Sequence, residues 1–183
     1  MVRNIGTGRC PSPEKWQVSA SVSTMSTSNK ANPKDVEIVT RAADHFIRLY
    51  YATYDSDTRV ADVPQFYRPT SSLTWNGKPY QGPDGMRELI QSMPSTKHEV
   101  NGFDCHPIPG TQPPALLVTV SGSVTHGRGS AGNPPGTHAK CIDGHPRVFA
   151  QTFILMPDPT APPTKAAEVA KYFVSADSMR FVG

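Results

Sequence analysis

Apolar residues recur every three or four positions between Val36 and Tyr54: Val36, Val39, Ala43, Phe46, Ile47, Tyr50 and Tyr54. That spacing predicts an amphipathic helix of about 20 residues with one buried stripe. Asn32-Pro33 marks its start, an N-cap residue followed by proline at the first helical position, and Asp35 and Glu37 complement the helix dipole. A second, short helix is expected from Thr58 or Arg59 to Phe66, with Pro69 ending that region. Leu73-Thr74-Trp75 reads as strand, Asn76-Gly77 as a tight turn and Lys78-Pro79-Tyr80 as the returning strand. Pro83 opens a third helix in which Met86, Leu89, Ile90 and Met93 share a face, and Pro94 stops it. Beyond residue 95 the pattern becomes strand-like. His98 to His106 is broken by Asn101-Gly102, a bulge signal. Ala115 to Val124, Val148 to Met156 and Tyr172 to Val182 are long, β-branched and aromatic runs.

The faces of these strands carry more information than their lengths. In Val148 to Met156 one face holds Phe149, Phe153 and Leu155, and the other holds Val148, Ala150, Ile154 and Met156. Ala115 to Val120 behaves similarly, with Leu116 and Val118 opposing Leu117 and the less apolar Thr119. An antiparallel sheet with one solvated face alternates apolar and polar residues. Three early helices cover only one side of a sheet. The pattern therefore predicts an α+β chain whose second sheet face is covered by another sheet, that is, a sheet-to-sheet dimer.

Composition narrows this picture. A chain of 183 residues supports one core, and no apolar run reaches the length of a membrane-spanning helix. The first residues lack the apolar stretch of a secretory signal, and three cysteines (Cys10, Cys105, Cys141) make a disulfide framework improbable, so a reducing, intracellular setting is expected. The net charge is +3, yet residues 1–34 hold five Lys/Arg against one acid, so the remainder carries 13 bases and 14 acids. Residues 1–32 read as a disordered, basic, Ser/Thr-rich leader, and 33–183 as one domain with Gly/Pro-rich loop insertions at 127–146 and 157–164.

Candidate chemistry is sparse. Cys105 and His106 are adjacent on a strand and point to opposite faces, which excludes a nucleophile and base pair. His138, Cys141 and His145 have ligand-like spacing but number only three, and are read as chance rather than zinc. No phosphate loop, dinucleotide fingerprint, nucleophile elbow or zinc-protease motif is present. Asp177 is placed on a face with Phe173 and Phe181 and is read as an acid bonding neighbouring backbone in preference to a general base. Trp75 is read as a core or rim aromatic, because no second aromatic or basic cluster accompanies it in sequence. Neither metal nor cofactor is expected.

Several strings resemble the nuclear transport factor 2-like family: FIRLYYATYDSDTR at 46–59, SLTWNGKPYQG at 72–82, Met93-Pro94-Ser95, FDCHP at 103–107, VTVSGSV at 118–124, FAQTFIL at 149–155 and SADSMRF at 175–181. The resemblance implies a cone-shaped, strongly bent antiparallel sheet wrapped around three helices, paired through its outer face with a second subunit. Within the family, Ran-binding homodimers carry an acid between the Trp and Gly of the Trp-x-Gly string, where this chain has Asn76. Trp75-Asn76-Gly77, Asp104-Cys105-x-Pro107 and Arg180-Phe181 resemble instead the small subunit of the heterodimeric mRNA export receptor, in its fungal form. That implies a non-catalytic protein of nucleus, nuclear pore and cytoplasm, whose partners are a larger receptor subunit, Phe-Gly nucleoporins and, through the complex, mRNA. The implied partner interface comprises Asp104, Arg180, Tyr172, Val174, Val118, Val120, Phe149 and Phe153. A homodimeric Ran-GDP import factor and a small lyase or isomerase of the same fold are the alternatives.

Overall fold

The computed structural model of the chain describes residues 33–127, 145–161 and 171–183, with side chains from Val36 onward. The expected leader, most of the 127–146 insertion and part of the 157–164 insertion lie outside the described residues, as do Cys10, His138 and Cys141.

Helix α1 (Pro33–Tyr54) buries Val39, Ala42, Ala43, Phe46, Ile47, Tyr50, Tyr51 and Tyr54, the predicted stripe widened by neighbours but without Val36, which is exposed in the first turns. Helix α2 (Arg59–Asp62) continues into a 3-10 turn, Val63–Phe66, entered through Pro64. Strand β1 (Tyr67–Trp75) contains Pro69 rather than starting after it. The strand tolerates the proline because its pairing with β6 is irregular between Tyr67 and Ser72, where no ladder N–H is required. Asn76 (φ 47) and Gly77 (φ 86) both adopt left-handed backbone, the conformation of a two-residue hairpin turn into β2 (Lys78–Gln81). Helix α3 (Gly82–Gln91) follows, then β3 (Thr96–Ile108), β4 (Ala115–His126), β5 (Arg147–Pro157) and β6 (Tyr172–Phe181).

The six strands form one sheet in the order β2-β1-β6-β5-β4-β3. All neighbours are antiparallel except β1 and β6, which run parallel, so the expected antiparallel sheet is a mixed one. Hairpins enforce antiparallel pairing, and β1 and β6 are joined by the whole intervening chain instead. Helix α1 lies over β3 and β4, and α3 packs against β1. Leu116, Val118, Val120, Val124, Phe149, Phe153, Leu155 and Val174 line the inner sheet face with no exposure. Phe153 stands edge-on to Phe46 and Tyr50 at 5.4 and 5.0 Å.

Two bulges set which residues face the helices. In β3 the register shifts between Val100 and Gly102, so Asn101 is the extra residue that the sequence indicated. In β6 Leu155 pairs with Val174 and Ile154 with Ala176, which makes Ser175 an extra residue that the sequence did not indicate. The second bulge inverts the alternation. Tyr172 and Val174 join the inner face with Asp177, Met179 and Phe181, while Phe173, Ala176, Ser178 and Arg180 fall outside. Asp177 therefore shares its face with Phe181 but not with Phe173.

Candidate functional site

The outer sheet face is built from cross-strand rows that the register fixes. One row runs Asp104, Thr119, Thr152, Ser178 from β3 to β6, a second His106, Leu117, Ile154, Ala176, and a third Gly102, Ser121, Ala150, Arg180. Aliphatic and small hydroxyl residues alternate, with Leu117, Val148 and Val182 respectively 37%, 51% and 53% exposed. Small hydroxyls on a pleated face suit contact with another sheet, since they lose little side-chain freedom there and present short donors and acceptors. Asp104 and Arg180 are exposed, and neither forms an ion pair among the described residues. They stand three strands apart, a separation of roughly 14 Å at the usual strand spacing, so they cannot pair with each other.

Of the residues that the resemblance assigned to a partner interface, only Asp104 and Arg180 stand on this face. Val118, Val120, Phe149, Phe153 and Val174 have no exposure and belong to the core beneath the helices. Tyr172 is half-buried against that core and donates to the Pro114 carbonyl at 3.1 Å. The correction has a simple cause: residues of opposite parity on one strand cannot share a face, and the Ser175 bulge moved Val174 and Tyr172 inward. The residues that form the outer face, Leu117, Thr119, Ala150, Thr152 and Ile154, were signalled by the second apolar face of β5.

The interior holds more polar chemistry than the sequence suggested. Tyr67 donates to Asp177 Oδ2 and Gln151 Nε2 to Asp177 Oδ1, both at 2.8 Å. Tyr50 and Tyr67 share a hydrogen bond of 2.7 Å, and Tyr51 donates to Gln151 Oε1 at 2.8 Å. Asp177 thus bonds side chains, not neighbouring backbone. Burial lifts its pKa to about 6 against the lowering effect of these bonds, and burial likewise pushes Tyr50, Tyr51 and Tyr67 upward. Each tyrosine hydroxyl in the set is bonded to another member. A cavity of about 600 Å³ does exist, but it lies outside α1, with Ala42, Phe46, Leu49, Phe66 and Tyr172 in its wall and the Arg68–Asp158 pair (2.6 Å) at its rim. Asp177 is not among its lining residues.

A second internal pair joins α1 to β3. His98 Nδ1 lies 2.6 Å from Asp55 Oδ1, while the His98 backbone N–H and the Thr96 hydroxyl also donate to that carboxylate. Partial burial opposes ionisation of Asp55, but these bonds more than offset it and hold the carboxyl below its ordinary range. Cys105 faces inward and His106 outward, as the alternation required, and burial pushes the thiol up to about 11. Asn76 fastens the β1–β2 turn to the last strand, since its Oδ1 accepts from the Phe181 N–H at 2.9 Å and its own N–H donates to Met179 O at 2.8 Å. Asparagine tolerates left-handed backbone better than most residues, which suits it to this turn. Trp75, unaccompanied in sequence, has neighbours in space: Phe181 at 5.8 Å, with His126 and Arg147 on the far sides of that ring.

Comparison with known proteins gives consistent matches. The family model for the nuclear transport factor 2 (NTF2) domain matches residues 42–132. NTF2-related export protein 1 of Bos taurus is 32% identical over 87 residues, 46% of this chain and 61% of that protein, so the match spans less than two thirds of its length. NTF2-related export protein 1 of Schizosaccharomyces pombe is 30% identical over 89 residues, 49% of this chain and 74% of that protein. Among solved structures, nuclear transport factor 2 from Cryptosporidium parvum has a TM-score of 0.57 at 25% identity, covering 82% of this chain and 97% of its own. The Chaetomium thermophilum Mex67 NTF2-like domain complexed with Mtr2 has a TM-score of 0.54 at 20% identity, covering 79% and 99%, a likeness of fold alone.

Proposed function

Because the chain belongs to the nuclear transport factor 2 (NTF2) domain family, we propose that it is the non-catalytic small subunit of an mRNA nuclear export receptor, paired through its outer sheet face with a similar domain of a larger subunit. The observation that carries the proposal is that face: aliphatic and hydroxyl rows with two exposed, opposite and mutually unreachable charges, Asp104 and Arg180. A face of this kind buries well against another sheet only if the partner supplies a counter-charge for each. The export-protein names of the two relatives support the same class.

The transport mechanism follows from assembly. The pair shuttles between nucleus and cytoplasm through the pore, and the cavity beside α1, floored by Phe46, Leu49 and Phe66, has the size and apolar wall to take a phenylalanine side chain of a Phe-Gly repeat. Such contacts are individually weak, and many of them together give binding that is both selective and rapidly reversible. Outside the leader this chain has nearly balanced charge, so the larger subunit contributes most of the attraction to mRNA. A catalytic reading is disfavoured because Asp177 and the hydroxyls of Tyr50, Tyr51 and Tyr67 are engaged within one network.

Charge reversal tests the interface. Asp104→Arg and Arg180→Asp each leave a partner's charge buried and unpaired, at about 2–5 kcal/mol, and are expected to abolish co-purification with the larger subunit's NTF2-like domain while the isolated chain keeps its melting temperature. Reversal of the facing charge in the partner is expected to restore part of the binding. Unchanged complex formation by both variants, or a wild-type homodimer that binds Ran-GDP by native mass spectrometry, would replace this reading with the import-factor one.

A further inference from the structure

The ends of five strands meet at one rim of the fold. β1 finishes at Trp75, β4 at His126 and β6 at Phe181, while β3 begins at Thr96 and β5 at Arg147. Helix α1 delivers Tyr54 to the same rim, where its ring meets His98 at 5.1 Å. Phe181 is the centre of the group. Trp75 and His126 stand edge-on to it at 5.8 and 5.6 Å, and the Arg147 guanidinium carbon lies 3.8 Å from its ring centroid. At that distance the guanidinium is stacked, and a stacked guanidinium keeps its N–H groups in plane, where a carboxylate can be gripped by two of them.

Nothing among the described residues takes up this charge. Arg147 is exposed and forms no ion pair. Arg59, the second cation of the rim, donates through Nη2 to Met93 O at 2.7 Å, while its Nη1 is buried without a partner. Tyr54 Oη is also buried and unpartnered, in a side chain only 2% exposed. The acids near the end of α1 do not answer these cations: Asp55 is occupied by His98 and Thr96, and Asp57 forms no ion pair. Burial, followed by the charges of His98, Arg147 and Arg59, lowers the pKa of His126, which is consistent with a rim already rich in positive charge.

We propose that this rim is a docking site for an acidic, aliphatic segment of a partner protein, with a carboxylate held by Arg147 and an apolar side chain laid over Trp75. It is a contact separate from the outer sheet face and stands whether or not the heterodimer does. A protein segment is favoured over RNA on two counts. RNA affinity comes from neutralising many phosphates, and the chain beyond residue 34 carries 13 bases against 14 acids. Base stacking also needs an open aromatic face, and one face of Phe181 is already covered by Arg147.

Fluorescence anisotropy with the full chain tests this, using a labelled peptide of alternating Asp and Leu, its counterpart of alternating Lys and Leu, and oligouridine as probes. The acidic peptide is expected to bind, more weakly as salt rises, and the basic one not to bind. Arg147→Glu is expected to weaken acidic-peptide binding by about tenfold or more, as loss of a bidentate charge-assisted contact requires, with the melting temperature unchanged because the side chain is exposed. Arg147→Lys is expected to recover only part of it, since an ammonium does not offer the planar fork. Failure of the acidic peptide to bind, binding that Arg147→Glu leaves intact, or tighter binding of oligouridine that depends on Arg147 would overturn the proposal.

Discussion

The carboxylate of Asp177 receives hydrogen bonds from Tyr67 and Gln151 and has no cation among its described neighbours, so desolvation prevails and its pKa rises to about 6. A raised acid holds its proton more tightly folded than unfolded. Its contribution to stability is therefore complete below about pH 4 and is lost as pH rises through about 6, a swing of at most about 3 kcal/mol. Asp177→Asn removes the ionisable group: the new Nδ2 donates to Tyr67 and the remaining oxygen accepts from Gln151, while one tyrosine proton loses its acceptor at every pH. Relative to wild type, the variant is expected to gain about 1–3 kcal/mol of stability between pH 4 and pH 7, as measured by urea unfolding at both values. Asp55, lowered rather than raised, is common to both proteins and cancels from the comparison. Wild type and variant with the same pH dependence would show that the fold does not raise the carboxyl's pKa. Asp177 was legible as an acid in an apolar run. Its partners were not, because Tyr50, Tyr67 and Gln151 come from three different elements and only the fold brings them together.

At the scale of elements, the helices and the turn at Asn76-Gly77 were legible because each is a local matter of period, caps and backbone conformation. The bulge at Asn101 was marked by Asn-Gly, whereas Ser175 sits in an ordinary Val-Ser-Ala stretch, since many bulges need no special residue. That single hidden insertion misplaced Val174 and Tyr172, and the parallel pairing of β1 with β6 was hidden in the same way by its dependence on distant strands. Gly122 shows how closely β4 is held. A Cβ there would collide with the Glu99 carbonyl oxygen of β3 and lie 2.9 Å from the Phe149 ring. The carbonyl is backbone and cannot swing aside, so Gly122→Ala is expected to destabilise the chain by about 2–3 kcal/mol in urea unfolding. A loss under half of that would mean that the β3–β4 pair yields more readily than its register suggests.

For the whole molecule, the decisive property is that one sheet has two occupied faces: helices on one, and on the other an array of Leu117, Thr119, Ala150, Thr152 and Ile154 in the described chain. The sequence disclosed the second face through β4 and β5; Val174 and Tyr172 were assigned to it because the Ser175 bulge was hidden, and Val118, Val120, Phe149 and Phe153 against the parity of their own strands. Thr152 lies in the row between Thr119 and Ser178, near the middle of the outer face, while its neighbour Phe153 is fully buried on the inner one. Phe153→Ala is therefore a test of folding, and Thr152→Arg a test of assembly. The most direct measurement is sedimentation velocity of Thr152→Arg mixed with the larger subunit's NTF2-like domain, with the variant's melting temperature recorded alongside. If the outer face pairs with a partner sheet, as proposed, an arginine at that position is placed against it without a counter-charge. Two separate species are expected, with a melting temperature near that of wild type. A heterodimer of wild-type affinity would contradict this, because the outer face would then not be where the subunits meet.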